Sequence, residues 1–183
     1  IGAQNCHEND DYGAHTGYVN SKMLKSIGAN YVIIGHSENR KKGENDNLIN
    51  LKVKSAIKAK LKVILCIGET LSEKRKRKTK SILSKQIKIG LKNIKKNSNI
   101  FIAYEPVWSI GTGNIPNQYE LEKILEFIKK SFRGKAPKIL YGGSVNPRNI
   151  MELKRVNYLD GFLIGGASQS AKKFIDIVKK TYS

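Results

Sequence analysis

The sequence has little acidic charge, little cysteine and no long apolar run. Only 15 of its 183 residues are Asp or Glu, against 34 Lys or Arg, so the formal charge is +19. Two cysteines, Cys6 and Cys66, are too few for a disulfide framework, which favours a reducing compartment. Because no stretch approaches the ~18 apolar residues of a membrane span, we expect no membrane contact.

Residues with metal-binding side chains are also scarce. The three histidines, His7, His15 and His36, do not combine with the cysteines in the spacing of a zinc site, so we expect no metal. The length suits one domain, 1–183, with a real core. The chain begins at Ile1, already in a strand-like segment and without a signal peptide. We expect either that an earlier segment was removed or that the sequence is incomplete.

The excess of positive charge calls for a partner or for a solvated surface. Its densest run extends from Lys74 to Lys80. No aromatic residue interleaves with that run, as a single-stranded nucleic-acid platform requires, so a solvated helix face is the favoured interpretation. We therefore do not expect nucleic-acid binding, although a non-catalytic basic or moonlighting module remains an alternative.

Short apolar runs alternate with helical patterns along the whole chain. Besides the start, the runs are 31–35, 63–67, 100–104, 139–141 and 162–164. Helical spacing is clear in three sets of apolar residues: Leu121, Ile124, Leu125 and Ile128; Ile82, Leu83, Ile87, Leu91 and Ile94; and Phe174, Ile175 and Val178. Six strand-then-helix units imply an α/β fold with a parallel sheet, either doubly wound or a barrel.

Helix boundaries carry local signals. Thr70 and Glu73 have capping-box spacing, Asn146-Pro147 predicts a helix start, and Gly28 predicts a helix end. Polar or glycine residues follow almost every strand, which is typical of the C-terminal face of a (β/α)8 barrel. We therefore predict a barrel-type fold, although six units do not close an eight-stranded barrel.

The most informative stretch is Tyr104 to Gly113, which reads YEPVWSIGTG. Glu105 ends a buried strand and precedes a proline, which favours extended backbone. A Trp and two glycines follow, as in a segment that moves. A fixed carboxylate beside a mobile lid suits proton abstraction next to a carbonyl group, whereas a lone strand-end Glu is more often a surface residue.

Two further strand ends carry candidate chemistry. His36 follows a strand and precedes Ser37 to Arg40, a candidate helical turn whose dipole favours a neutral ring. Taken alone, His36 is more simply a structural histidine. Gly142-Gly143-Ser144 and Gly165-Gly166 follow the last two strands, where backbone N–H groups of barrel loops bind phosphate.

Together these motifs resemble the triosephosphate isomerase family over the whole chain. The similar segments are 1–5, the Gly-His-Ser-Glu motif within 31–40, the strand and lid at 104–113, and the loops at 141–145 and 165–168. The resemblance implies a (β/α)8 barrel, here with six units corresponding to strands 3 to 8. It also implies an isomerase of glycolysis and gluconeogenesis in the cytoplasm, without cofactor, that interconverts dihydroxyacetone phosphate and glyceraldehyde 3-phosphate through an enediolate.

The resemblance also assigns roles to residues. It makes Glu105 the base and His36 a neutral electrophile, a pairing for which this family is a standard example. It places phosphate on Gly111, Ser144, Gly165 and Gly166. Two further residues receive roles: Glu38 belongs to the catalytic set by orienting a lysine, and Thr16 lies in the loop that contacts the partner of a homodimer.

One departure concerns that lysine. The family supplies it from an Asn-x-Lys pair on the first strand, and no such segment precedes Ile1. Another sugar-phosphate barrel enzyme remains an alternative, although the Glu-Pro-Val-Trp and Gly-His-Ser-Glu pair argues against it.

We predict that the 183-residue chain alone is inactive and prone to aggregate, whereas a chain with the two preceding βα units is active. Loss of one preorganised charged group costs ~10²–10³ in rate, and exposed parallel edges invite association. A coupled isomerase assay with light scattering checks this expectation. Measurable turnover by the purified 183-residue chain would contradict it.

Overall fold

The computed structural model describes residues 1–94 and 99–183 and divides into two compact units. The first unit comprises Ile1–Ile67 and Lys85–Ile102, and the second comprises Gly68–Ser84 and Ala103–Ser183. Each unit has its own set of buried apolar side chains. Within the described residues, no helix has the length and apolar character needed to cross a membrane.

The elements alternate between strands and helices in chain order. The strands are β1 Gly2–Ala3, β2 Tyr31–Ile34, β3 Lys62–Ile67, β4 Ile100–Tyr104, β5 Lys138–Tyr141 and β6 Gly161–Phe162. The helices are α1 Ser21–Ser26, α2 Ser37–Lys41, α3 Asp46–Lys58, α4 Leu71–Arg75, α5 Thr79–Gly90, α6 Gln118–Lys130, α7 Ile150–Leu153 and α8 Ala171–Tyr182, with a 3-10 turn at Gly166–Gln169. All six predicted strands are present, and β6 is shorter than its apolar run.

The first unit contains parallel strands covered by α3. β1 pairs with β2 and β2 with β3, both in parallel, and Tyr31 lies opposite Lys62. The Val63 N–H group donates to the Asn99 carbonyl at 2.8 Å, which carries the hydrogen bonding on to the start of β4. Because both faces of such a sheet are covered, its strands are apolar runs. The fully buried side chains of this core include Val32, Ile34, Ile49, Val53, Val63 and Leu65.

The second unit has the same construction. The Gly142 N–H group, directly after β5, donates to the Tyr104 carbonyl at 3.0 Å, and β5 pairs with β6 in parallel. The predicted apolar face of α6 is confirmed, since Leu121, Leu125 and Ile128 are fully buried and Ile124 is 8% exposed.

The predicted helix signals have mixed outcomes. Thr70 and Glu73 form the expected reciprocal capping box of α4. Gly28 follows α1 with φ +88°, a left-handed conformation that glycine adopts without strain. The start predicted at Asn146-Pro147 is wrong, because α7 begins at Ile150. The Asn146 side chain instead accepts from the backbone N–H groups of the next turn.

The apolar faces of two other helices differ from expectation. α8 forms as predicted, but Phe174, Ile175 and Val178 are 40%, 50% and 39% exposed, and Ile177 is its buried side chain. α5 ends at Gly90, so Leu91 and Ile94 lie beyond the helix although their spacing continued it.

We expect Leu125→Ala to lower the free energy of unfolding by about 2–5 kcal/mol, because a fully buried Leu leaves a cavity when truncated. The matched control is Lys123→Ala on the exposed face of α6, which should cost less than ~0.5 kcal/mol. Urea unfolding followed by circular dichroism measures both variants. Equal costs would contradict the assignment of the α6 core face.

Candidate active site

Glu105 lies at the end of β4 and is almost completely buried. Its side chain is 4% exposed, and β4 positions it because Tyr104, the last residue of the strand, accepts from Gly142. The carboxylate therefore stands on a strand end that is itself tied into the parallel sheet. A carboxylate fixed in this way samples fewer positions than one on a mobile loop.

Glu105 occupies space that is available only because two neighbouring residues are glycines without side chains. A Cβ atom at Gly142 would lie 2.7 Å from the Cγ and Oε1 atoms of Glu105. A Cβ atom at Gly68 would lie 1.9 Å from the Glu105 carbonyl oxygen. Any side chain at either position would displace Glu105, so both glycines are required by close approach. The sequence marked both strand ends but did not show that they enclose Glu105.

The segment that follows Glu105 is tied to Glu69, the residue after Gly68. The Val107 N–H group donates to the Glu69 carbonyl at 3.0 Å, and the Trp108 indole Nε1 donates to the Glu69 carboxylate at 2.9 Å. The Tyr104 hydroxyl donates to the same carboxylate at 3.2 Å. Glu69 thus holds the chain on both sides of Glu105.

Burial dominates the electrostatics of Glu69. Its side chain is fully buried, and desolvation raises the pKa of the carboxyl group above its ordinary range. The hydrogen bonds from Trp108 and Tyr104 act in the opposite direction because they favour the charged form. Desolvation, and then the negative charge of Glu69, hold the pKa of Tyr104 well above its ordinary range. Tyr104 therefore remains a neutral donor at physiological pH.

The predicted lid consists of turns that meet the loop after β5. Gly111 and Gly113 have φ of +72° and +79°, which suits glycine. The Ser144 hydroxyl donates to the Ser109 carbonyl at 2.5 Å and accepts from the Gly113 N–H group at 3.2 Å. Ser144, predicted as a phosphate ligand, thus lies against the lid.

The Ser109 hydroxyl group makes two hydrogen bonds within and beside the predicted lid. Its buried hydroxyl donates to the Asn114 carbonyl at 2.5 Å and lies 3.2 Å from the Tyr141 hydroxyl. Because the Ser109 proton is committed to Asn114, the Tyr141 hydroxyl is the donor in the second bond. Burial raises the pKa of Tyr141 to about 12, so this donor keeps its proton. Ser109 thus connects the Asn114 carbonyl, directly after Gly113, to the Tyr141 hydroxyl at the end of β5.

The last predicted phosphate loop follows β6. Gly165 and Gly166 are exposed, and Gly166 begins the 3-10 turn. A Cβ atom at either glycine would meet nothing within 4 Å, so the space around them is open. Their assignment as phosphate ligands stays a prediction.

His36 and Glu38 lie in the first unit. His36 is the N-cap of α2, the helical turn predicted at Ser37 to Arg40, and its Nδ1 atom accepts from the Glu38 N–H group at 3.4 Å. Acceptance at Nδ1 requires that atom to be unprotonated, so in this arrangement the ring proton is on Nε2. The Glu38 side chain is exposed.

Thr16 lies in an exposed loop of the first unit. The loop is organised by ring contacts: the His7 ring lies 4.5 Å from that of His15 and 4.7 Å from that of Tyr18. No group of His, Cys, Asp and Glu among residues 1–94 and 99–183 could hold a metal ion.

Sequence reasoning missed the role of Glu69. The sequence did contain a signal for this role, because Glu69 follows a glycine at the end of β3 and Trp108 is the one tryptophan of the chain. A Trp next to a lid needs a hydrogen-bond partner for its indole N–H group when buried. The carboxylate that accepts the hydrogen bond from Trp108 could not be identified without knowing the fold.

Comparison with known proteins identifies the family. The family model described as triosephosphate isomerase matches residues 1–181. The chain belongs to the triosephosphate isomerase family. It is 45% identical to the triosephosphate isomerases of Chlorobium luteolum and Prosthecochloris aestuarii, covering 97% and 98% of this chain and 74% of each relative.

A solved triosephosphate isomerase supports the same assignment. The structure from Bartonella henselae has 38% sequence identity and a TM-score of 0.89, covering 100% of this chain and 76% of that one. The predicted fold class is therefore confirmed, with six βα units of the (β/α)8 barrel present in this chain. The predicted family, and with it the isomerase class, is confirmed too.

Glu69 should make the stability of this triosephosphate isomerase family member depend on pH. Because its folded pKa is raised, its contribution to stability is fully present below the ordinary value of 4.5 and is lost as pH rises through the folded pKa. Glu69→Gln binds no proton there. The free energy of unfolding of the wild type relative to Glu69→Gln should therefore fall with rising pH across this window. Urea unfolding at several pH values measures it, and a constant difference would contradict the raised pKa.

Proposed function

We propose that this chain supplies the base, the lid and the phosphate loops of a triose-phosphate isomerase, which interconverts dihydroxyacetone phosphate and D-glyceraldehyde 3-phosphate. The observation that carries the proposal is the placement of Glu105. Its carboxylate is 4% exposed, enclosed by glycine backbone and followed at once by the lid. Few structural roles require a buried carboxylate with those surroundings.

The proposed first step is proton abstraction by Glu105 from the substrate carbon next to the carbonyl group. The product is an enediolate, in which the former carbonyl oxygen carries the negative charge. The hydroxyl proton of the substrate then passes to this oxygen, and protonated Glu105 returns its proton to the former carbonyl carbon, which completes the isomerisation. The same carboxylate serves both directions because it regains its charge at each turnover. The lid excludes water, which strengthens electrostatic interactions in the site and protects the intermediate.

His36 is proposed as the electrophile that donates from Nε2 to the substrate oxygen. The support within the first unit is the hydrogen bond accepted at Nδ1, which leaves the proton on Nε2. A neutral donor stabilises an enediolate oxygen without giving up its proton outright. Its pairing with Glu105 is taken from the family resemblance, since the two residues lie in different units.

Phosphate is proposed to bind the backbone of Gly111, Gly165 and Gly166 and the side chain of Ser144. The open space at Gly165 and Gly166 is compatible with the approach of an anion to their N–H groups. Ser144 already contacts the lid at Ser109 and Gly113. A ligand held there would therefore be coupled to the position of the lid.

The remaining assignments concern assembly and location. Glu38 is proposed to orient a lysine of the site, and the loop containing Thr16 to contact the partner in a homodimer. A cytoplasmic location is supported by the cysteine content, since two buried cysteines, Cys6 and Cys66, are too few for a disulfide framework. The proposed reaction needs no cofactor.

We expect Glu105→Asp to lower kcat by at least ~10²-fold, because removing one methylene group withdraws the carboxylate by about 1 Å. The chain spans 74% of the Chlorobium luteolum relative. A coupled assay is therefore run on the 183-residue chain and on a form preceded by the corresponding first residues of that relative.

The matched control is Glu152→Asp, the same substitution at an exposed position of α7, which should keep wild-type activity. Circular dichroism verifies that both variants fold. Full activity of Glu105→Asp would reject Glu105 as the base, and equal losses in both variants would reject a specific effect.

A further inference from the structure

The basic run from Lys74 to Lys80 is not uniform. Arg75, Lys76 and Lys78 are exposed, as expected for a solvated face. The Lys74 Nζ atom instead lies 3.7 Å from the centroid of the Trp108 ring and 2.8 Å from Glu120 Oε1. Its side chain is only 28% exposed. Lys74 therefore has a specific contact that the charge pattern did not predict.

Lys74 and Glu69 contact different parts of the Trp108 indole ring. Glu69 accepts from the ring edge through Nε1 at 2.9 Å, and the Lys74 ammonium group lies over the face. An ammonium group this close to an indole face is attracted by its negative quadrupole. Edge and face contacts together restrict both tilt and translation of Trp108, which begins the lid.

Two helix starts fix the position of Lys74. The capping box of Thr70 and Glu73 orders the first turn of α4, and the Lys74 N–H group donates to the Thr70 carbonyl at 2.9 Å. Glu120 lies in the first turn of α6, where its N–H group donates to the Asn117 side chain at 2.8 Å. The lysine thus spans two ordered turns rather than reaching freely from the surface.

We propose that Lys74, anchored by Glu120, is a positioning residue that keeps Trp108 on Glu69 and thereby sets how readily the lid leaves its described position. The consequence for catalysis rests on the proposed isomerase function. The contact itself does not, because it is defined by Trp108, Glu69 and Glu120 alone.

Trp108 is the one tryptophan among the 183 residues, so fluorescence excited above the tyrosine absorption band reports on this contact without interference from another tryptophan. Lys74→Met keeps the apolar stem and removes the charge. Loss of the cation–π contact should increase the population of released Trp108 by about two- to fivefold, measured by acrylamide quenching. Lys74→Arg, which can stack its guanidinium group on the ring, should stay near the wild type.

Lys76→Met is the matched control, since it removes one charge from the same run at an exposed position. It should leave quenching unchanged. Equal quenching in Lys74→Met and Lys76→Met would overturn the proposal, as would failure of Lys74→Arg to restore the wild-type value. Circular dichroism verifies folding of each variant.

A pH titration separates positioning from a general loss of stability. The titratable groups that interact with Glu69 include Tyr104, Tyr141 and Lys74, and the positive charge of Lys74 lowers the pKa of Glu69. Lys74→Met should therefore move the midpoint of the Trp108 fluorescence titration to higher pH. In the quenching experiment, Glu120→Gln should increase the acrylamide quenching of Trp108, as Lys74→Met does, but by a smaller factor. An unchanged midpoint in Lys74→Met would overturn the proposal. The Glu105→Asp assay is independent of both readouts, so the proposed function and this inference can fail separately.

Discussion

The placement of Glu105 depends on one buried carboxylate at the end of another strand, that of Glu69 after β3. Tyr104 before Glu105 and Trp108 after it both donate to the Glu69 carboxylate, and Val107 donates to its backbone carbonyl. The chain is therefore fixed on each side of Glu105 by a single residue, Glu69. An acidic group fully removed from water is costly unless it is hydrogen-bonded, and here the donors that satisfy it are the residues that must be positioned.

Trp108 lies between β4 and the predicted lid. On one side lies β4, whose backbone is hydrogen-bonded within the sheet; on the other lie the glycine turns closed by Ser109 and Ser144. A lid must release from such contacts and return to them, so each contact has to be weak enough to break. A hydrogen bond with a net contribution of ~1 kcal/mol meets that requirement, whereas a large packed apolar contact would be too strong to break readily.

Much of the fold could be predicted because its signals are local. Apolar runs and glycines mark strands and their ends, and Thr70 with Glu73 marks the start of α4. The incorrect start at Asn146-Pro147 arose where a side chain bonded to a turn instead of a helix. For the site, Glu105 and the lid follow from a continuous motif. The roles of Glu69, Gly68 and Gly142 could not be predicted, because they depend on which strand ends become neighbours in space.

Ser144 shows how the loop after β5 trades one property for another. Its backbone has φ +50°, a left-handed conformation that costs a non-glycine residue on the order of 1 kcal/mol. Glycine would remove that strain but also the hydroxyl group that joins Ser109 and Gly113. Because that hydroxyl group makes two hydrogen bonds of ~1 kcal/mol each, their loss would outweigh the relief of strain, and glycine would not stabilise the protein. Engineering for heat resistance should therefore keep Ser144 despite its strained backbone.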